Sequence, residues 1–248
     1  MKSFGLTDKG KVRKDNQDSF IIEKCEAKDC LVVALCDGMG GAKAGRLASS
    51  LSNKSFVDFI YGKLTSRSAR SPNYQSILTQ ACKEANGVSY EYSQFDDAYK
   101  GMGTTIVGGI VRSNGSVYLV NVGDSRAYHI SRKGESIYQI TKDHSLVEEL
   151  VEFGAITKEE AKHHPKRNVI TRALGSEEDV ECDYFEVSLQ NGDMLLLCSD
   201  GLSNIVSDLE ILDYAQEYQD PELLCGALMS KALNRGASDN VTVLAVMK

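Results

Sequence analysis

Between residues 104 and 140 four β-prone runs (104–112, 116–122, 126–131 and 136–140) follow one another with at most four residues between neighbours. A parallel partner needs a crossover of a dozen or more residues, so this spacing commits the middle of the chain to antiparallel sheet. Asn114-Gly115 and Lys133-Gly134 supply turn chemistry between neighbours. Asn191-Gly192, between runs 184–189 and 193–198, reads as a further hairpin. Runs at 19–23, 31–36 and 241–247 complete the strand set.

Helical patterns come in pairs between these strands. Leu47, Leu51, Phe56 and Ile60 give helical spacing over 44–64, as do Ile77, Leu78, Ala81, Ala85 and Val88 over 74–95. Ser207 with Glu210 forms a capping-box pattern ahead of 209–218, and Asp220-Pro221 places a cap and a first-turn proline ahead of 222–234. Ser145 with Glu148 and Thr157 with Glu160 mark two short helices. Antiparallel strands with helices inserted as pairs predict an α+β fold of sheet layers covered by helices. No repeat, linker or shift in composition divides the chain, so a single domain over 1–248 is expected.

The net charge of −7, with no continuous lysine/arginine block, argues against nucleic acid or an anionic membrane as partner. It also means that an anionic substrate needs a locally positive site, such as bound metal. The first eleven residues are polar, and no apolar run approaches the ~20 residues that span a bilayer, so a cytoplasmic protein is expected. Seven cysteines, odd in number and without a C-x-x-C pair, read as reduced thiols packed as small hydrophobes.

The aspartates carry the chemistry. Asp37, Asp124 and Asp200 each follow an apolar run, Asp239 precedes the last strand, and Asp18 precedes the first. Asp-Gly alone is a turn dipeptide, but Asp37-Gly38 leads into a helix and Asp200-Gly201 opens no strand. Carboxylates without histidine or cysteine at ligand spacing suit magnesium or manganese and suit zinc poorly. The glycines at 38–45 match neither a P-loop nor a dinucleotide fingerprint, because Lys43 is followed by Ala44 and stands where a third glycine is needed. Those glycines read instead as room for backbone and water beside a metal. His163-His164 reads as a surface pair.

The segments R-K-D-N-Q-D (13–18), D-G-M-G-G (37–41), G-M-G-T-T (101–105), V-G-D-S-R (122–126), T-K-D-H-S (141–145), L-C-S-D-G-L (197–202) and S-D-N-V-T-V (238–243) occur in one order along the chain. Together they resemble the metal-dependent protein phosphatase family (PPM, type 2C), especially its compact bacterial members. That resemblance implies a four-layer αββα sandwich, two antiparallel β-sheets flanked by helix pairs. It implies a protein serine/threonine phosphatase that hydrolyses phosphoserine and phosphothreonine by direct attack of a metal-activated water, with no phosphoenzyme. Two Mg2+ or Mn2+ ions are implied: Asp37 bridges them, the Gly38 carbonyl serves the second, Asp200 and Asp239 complete the first, and Asp18 acts through water. Asp124 would support the third metal of bacterial relatives, and Arg13 would grip the substrate phosphate.

Three positions depart from the family pattern. Met39 and Ala42 stand where some relatives carry histidines, leaving metal-bound water as donor to the departing alkoxide, and Gln17 replaces a glutamate. The stretch 144–172 matches the family's flap, and its Lys162, Lys166, Arg167 and Arg172 suggest a part in recognising phosphoproteins. A solvated surface insertion is the plainer reading of that stretch. The implied partners are phosphorylated Ser/Thr proteins and a cognate Ser/Thr kinase, met by a monomer. The alternative is a pseudophosphatase that binds metal or a phosphoprotein without turnover.

Overall fold

A computed structural model describes residues 1–66 and 72–248. Among these described residues, eleven strands form two antiparallel sheets. One has the order β1 (Lys2–Asp8), β11 (Val241–Met247), β10 (Met194–Cys198), β7 (Arg126–Ser131), β8 (Ser136–Gln139). The other runs β2 (Asp18–Cys25), β3 (Cys30–Met39), β5 (Ile106–Arg112), β6 (Ser116–Val122), β9 (Asp183–Ser188), with the two-residue β4 (Gly103–Thr104) paired to β3. Helices α1 (Ala42–Thr65) and α2 (Tyr74–Phe95) cover the β3 sheet, while α6 (Asp208–Glu217) and α7 (Pro221–Asn234) cover the β10 sheet. The four-layer αββα architecture is therefore present.

Strand alternation explains the layering. In β3, Val32, Ala34 and Cys36 face α1 and α2, whereas Leu31, Val33 and Leu35 face the opposite sheet. In β10, Leu196 and Cys198 face α6 and α7, whereas Leu195 and Leu197 meet the β3 sheet. Strands buried on both faces need unbroken apolar runs, which is why these two read so clearly in sequence. Each buried valine or leucine among them stabilises the fold by roughly 1.5–3 kcal/mol relative to an exposed one.

The helix starts follow their caps. Asn73 accepts from Ser76 N at the head of α2, Thr157 and Ser207 make complete capping boxes, and Asp220 caps α7 ahead of Pro221. Ser145 caps α3 (Leu146–Glu152) by accepting from Glu148 N. Asn114-Gly115 and Lys133-Gly134 close the β5–β6 and β7–β8 hairpins as expected.

Three expectations are corrected. Asn191-Gly192 does not close a hairpin, because β9 and β10 lie in different sheets and the turn passes the chain between layers. The run 104–112 is broken at Thr105, whose N–H bonds Asp37 O and whose hydroxyl accepts from Asp37 N. Strand β1 was not anticipated: its alternation is short and interrupted by Gly5, whose missing side chain leaves the space filled by the Phe20 ring. All seven cysteines are free, and six are buried.

Candidate metal centre

The alternation that builds the core also builds a polar layer at one end of it. Phe20, Leu35, Leu195, Leu197 and Leu244 all point between the sheets. Continuing each strand by two residues toward the same end reaches Asp18, Asp37, Ser199 and Thr242. Asp18 and Asp37 are directly opposite partners across β2 and β3. Ser199 and Thr242, from the other sheet, donate to Asp18 Oδ2 at 2.8 and 2.6 Å. Thr242 Oγ1 also lies 2.7 Å from Thr7 Oγ1. The two sheets are thus stitched together at this mouth by hydrogen bonds centred on one buried carboxylate.

Glycines let the remaining carboxylates close in. A side chain at Gly201 would run into the Asn240 carbonyl, and one at Gly10 into the Asp239 carbonyl, so the loops bearing Asp200 and Asp239 touch through backbone. Asn240 fastens the same corner: its side chain donates to Lys9 O and Asp15 O at 2.9 and 3.0 Å and accepts from Gln17 N at 2.9 Å. Gly38, near the end of β3, is required where the strand meets the first turn of α1, because a Cβ there would strike the Gly45 carbonyl. Asp200 is the first residue of a short helix, α5 (Asp200–Ser203), and accepts from Asn204 Nδ2 at 3.1 Å.

The result is a concentration of negative charge. Asp37 is held well above the ordinary carboxylate range, first by burial and then by repulsion from Asp18, Asp200, Asp124 and Asp239. Burial, with the Asp200 charge opposing the Thr242 and Ser199 bonds, lifts Asp18 to about 6. Burial and Asp239 lift Asp200 to about 6. Burial, Asp200 and Asp143 push Asp124 up to about 8. Two guanidiniums stand nearby and each is engaged. Arg13 bonds Asp239 Oδ2 at 2.6 Å, and Arg126 grips Asp143 through three contacts of 2.7–3.0 Å.

This site has the character of an unsatisfied cation receptor. Asp18 Oδ1 and Asp200 Oδ1 are buried and accept no hydrogen bond. Asp37 stands opposite Asp18 across the strand pair and is repelled by both Asp18 and Asp200, a repulsion that a proton or a cation relieves. Among the described residues no three acidic, imidazole or thiolate side chains form a ready-made cage. Zinc would need such a cage. Magnesium keeps several of its waters and takes one or two carboxylates, so the looser all-oxygen donor set fits magnesium or manganese.

The structure brings Arg13, Asp18, Asp37, Gly38, Asp124, Asp200 and Asp239 to this mouth, with two placements differing from expectation: Asp37 lies within β3 rather than beyond it, and Asp18 opens β2 rather than preceding it. Ser199, Thr242, Thr105 and Asn240 were missed as contributors, although they sit inside the quoted motifs. Thr242 reads as an ordinary β-former and Ser199 as a polar residue past a strand end, and only the pairing across sheets shows their role. At Met39 the thioether packs toward Gly103, and the side chain of Ala42 lies outside the described residues.

The flap emerges beside Asp124. His144 N donates to Gly123 O, and His144 Nδ1 accepts from Gly123 N. Its base is closed by Leu146 N to Val169 O and Thr171 N to His144 O. Arg172 is paired with Asp183 at 3.0 Å and Lys162 with Glu159 at 2.7 Å, whereas Lys166 and Arg167 are exposed. His163 is exposed, 3.8 Å from Glu159.

Residues 10–234 match the protein phosphatase 2C family. The chain is 37% identical over 241 residues to the serine/threonine phosphatase stp of Listeria welshimeri, covering 97% of this chain and 93% of that one. The crystal structure of serine/threonine phosphatase Stp1 from Staphylococcus aureus superposes with a TM-score of 0.89 at 37% identity, over 99% of this chain and 94% of that one. A structure of the PstP catalytic domain in complex with two manganese ions does so with a TM-score of 0.80 at 32% identity, over 98% and 96%.

Proposed function

The chain belongs to the protein phosphatase 2C family, and from that premise we propose how its own residues perform the reaction. It is a metal-dependent protein serine/threonine phosphatase whose substrates are phosphorylated Ser/Thr proteins and whose ions are magnesium or manganese. Asp37, between Asp18 and Asp200, would hold two ions, with Asp200 and Asp239 on one and the Gly38 carbonyl on the other. Asp18, anchored by Ser199 and Thr242, would act through ordered water, and Asp124 would support a third ion. Bound there, the ions supply Lewis-acid activation of water and neutralise the phosphoryl oxygens.

Arg13 orients the substrate. Its guanidinium presents a planar fork to two phosphoryl oxygens, and its present partner Asp239 is a metal-ligand candidate. Were Asp239 engaged as a ligand, the Arg13 guanidinium would be released to face substrate. Residue 39 cannot supply a proton to the leaving alkoxide, because a thioether carries none. The reading rests most heavily on one observation: carboxylates from both sheets converge on a mouth where buried Asp18 Oδ1 and Asp200 Oδ1 lack donors.

The test is hydrolysis of a phosphothreonine peptide with manganese or magnesium, with Asp37→Asn as control. The expected loss in the variant is at least about 100-fold in kcat. Equal turnover by the variant, or none by the wild type, defeats the assignment. A silent pseudophosphatase finds no support, since Arg13 and all five carboxylates are present.

The flap's exposed Lys166 and Arg167 are assigned to contact with the phosphoprotein. Charge reversal at both should raise KM for a phosphoprotein and leave a small aryl phosphate unaffected, and unchanged phosphoprotein kinetics refute the role. A single domain over 1–248, acting as a cytoplasmic monomer opposite a cognate Ser/Thr kinase, completes the reading. No helix among the described residues is long and apolar enough to cross a membrane.

A further inference from the structure

Before its single anion, Asp15, the link from β1 to β2 opens with K-G-K-V-R-K over residues 9–14, four cations in six positions of a chain whose net charge is −7. Interruption by Gly10 and Val12 hides it from a search for continuous basic blocks. The structure shows that this loop is pinned. Asp8 Oδ1 accepts from Gly10 N at 2.8 Å, Gly10 adopts φ +76° against the Asp239 carbonyl, and Lys11 N donates to Ala237 O at 2.9 Å. Asn240 Nδ2 holds Lys9 O. The loop backbone is thereby fastened to the segment that carries Asp239, at the rim of the carboxylate mouth.

Its side chains, by contrast, are unspent. Arg13 bonds Asp239, but Lys9, Lys11 and Lys14 are exposed and make no ion pair among the described residues. Val12, at the centre, is 69% exposed. An ammonium on a fixed backbone beside a phosphate-gripping arginine is placed to meet what flanks the phosphate. The protein's overall negative field repels acidic ligands, so local reversal at this rim decides which ones dock.

We propose that residues 9–14 form a specificity rim that selects phosphorylated sites flanked by acidic residues, with Lys11 and Lys14 as its charge readers. The proposal rests on the phosphatase reading above and adds the substrate class to it. Exposed ion pairs are individually weak, so the expected preference is modest, about fivefold to tenfold for two contacts, and sensitive to salt.

The experiment uses the full chain with manganese and phosphothreonine peptides that differ only in flanking residues: glutamate, glutamine or lysine. A small aryl phosphate reports the chemistry without flanks. Wild type should favour the glutamate peptide over the glutamine one by about fivefold to tenfold in kcat/KM, chiefly through KM, with the gap closing as salt rises. Lys11→Glu with Lys14→Glu should erase or invert that order and leave aryl phosphate turnover unchanged. A Lys→Gln pair, which adds no negative charge, should erase the order without inverting it. Equal kcat/KM for the three peptides in wild type, or a preference that survives both double variants, overturns the rim. No turnover of any substrate would instead defeat the phosphatase reading itself.

Discussion

Strand β10 carries an aspartate just beyond each end, and the two have opposite fates. Asp193, before the strand, is almost wholly buried and satisfied from within: His129 Nε2 lies 2.9 Å from Oδ2, Gln190 N donates to Oδ2 at 2.8 Å, and Arg132 N donates to Oδ1 at 3.1 Å. Despite burial, those bonds hold its carboxyl below the ordinary range. Asp200, after the strand, is lifted to about 6 and keeps an oxygen with no donor. One sandwich thus shows what a structural carboxylate and a receptor carboxylate look like. The first is neutralised by its own protein, and the second waits for charge from outside.

The sharpest way to break this contrast is to remove charge at each end. Asp193→Ala leaves His129 and two backbone donors unpaired in the interior, which should cost about 3 kcal/mol in urea unfolding, with activity per folded molecule retained. Asp37→Asn at the opposite mouth relieves like-charge repulsion, so its metal-free form should melt higher than metal-free wild type. If Asp37→Asn destabilises the metal-free protein as Asp193→Ala does, the mouth is an ordinary structural site and the comparison fails.

A smaller effect follows from pH. A carboxyl whose folded pKa is raised contributes stability that is complete below its unfolded value and is lost as pH climbs through the folded one. For Asp18 and Asp200 that loss runs from 3.8 to about 6, and for Asp124 to about 8. Asp193 has the opposite sign, since its lowered pKa gives stability above 3.8 that disappears only on acidification. Metal-free protein should therefore lose roughly 4 °C or more in Tm between about pH 5.5 and about pH 8. Added manganese should raise Tm, and by more at the higher pH, because its ligands must be deprotonated. A flat pH profile of Tm in the metal-free protein, or an equal manganese increment at both pH values, contradicts the receptor account.

The comparison also explains what could be read from sequence. The apolar runs of β3 and β10 were legible because both faces are buried, Asp37 and Asp200 because Asp-Gly opened no hairpin, and Asp18, Asp124 and Asp239 through their places beside strands and the order of the motifs. The passage at Asn191-Gly192 was not, because turn chemistry specifies a reversal but not the sheet that receives the next strand. Nor was β1, whose register depends on β11 at the far end of the chain. The supporting hydroxyls of Ser199 and Thr242 were hidden for a related reason. Their partner Asp18 is 181 and 224 residues away, and no local pattern reports a bond over that separation.

Those hydroxyls offer the finest test of the comparison, because among the described residues they are the donors to Asp18 Oδ2. Thr242→Val keeps the shape and β-branching of the side chain and removes one donor, along with the link to Thr7. If Asp18 were structural in the manner of Asp193, the loss would appear mainly as about 1 kcal/mol of stability, with metal affinity unchanged. As an outer support of a cation site, it should instead weaken manganese binding by about tenfold, read by titration calorimetry on the folded protein. Ser199→Ala should act in the same direction, but less cleanly, because the Ser199 hydroxyl also accepts from Thr242 N at 2.9 Å. A shift in metal affinity larger than the change in stability places Thr242 with the receptor end of the sandwich; the reverse ratio returns it to the scaffold.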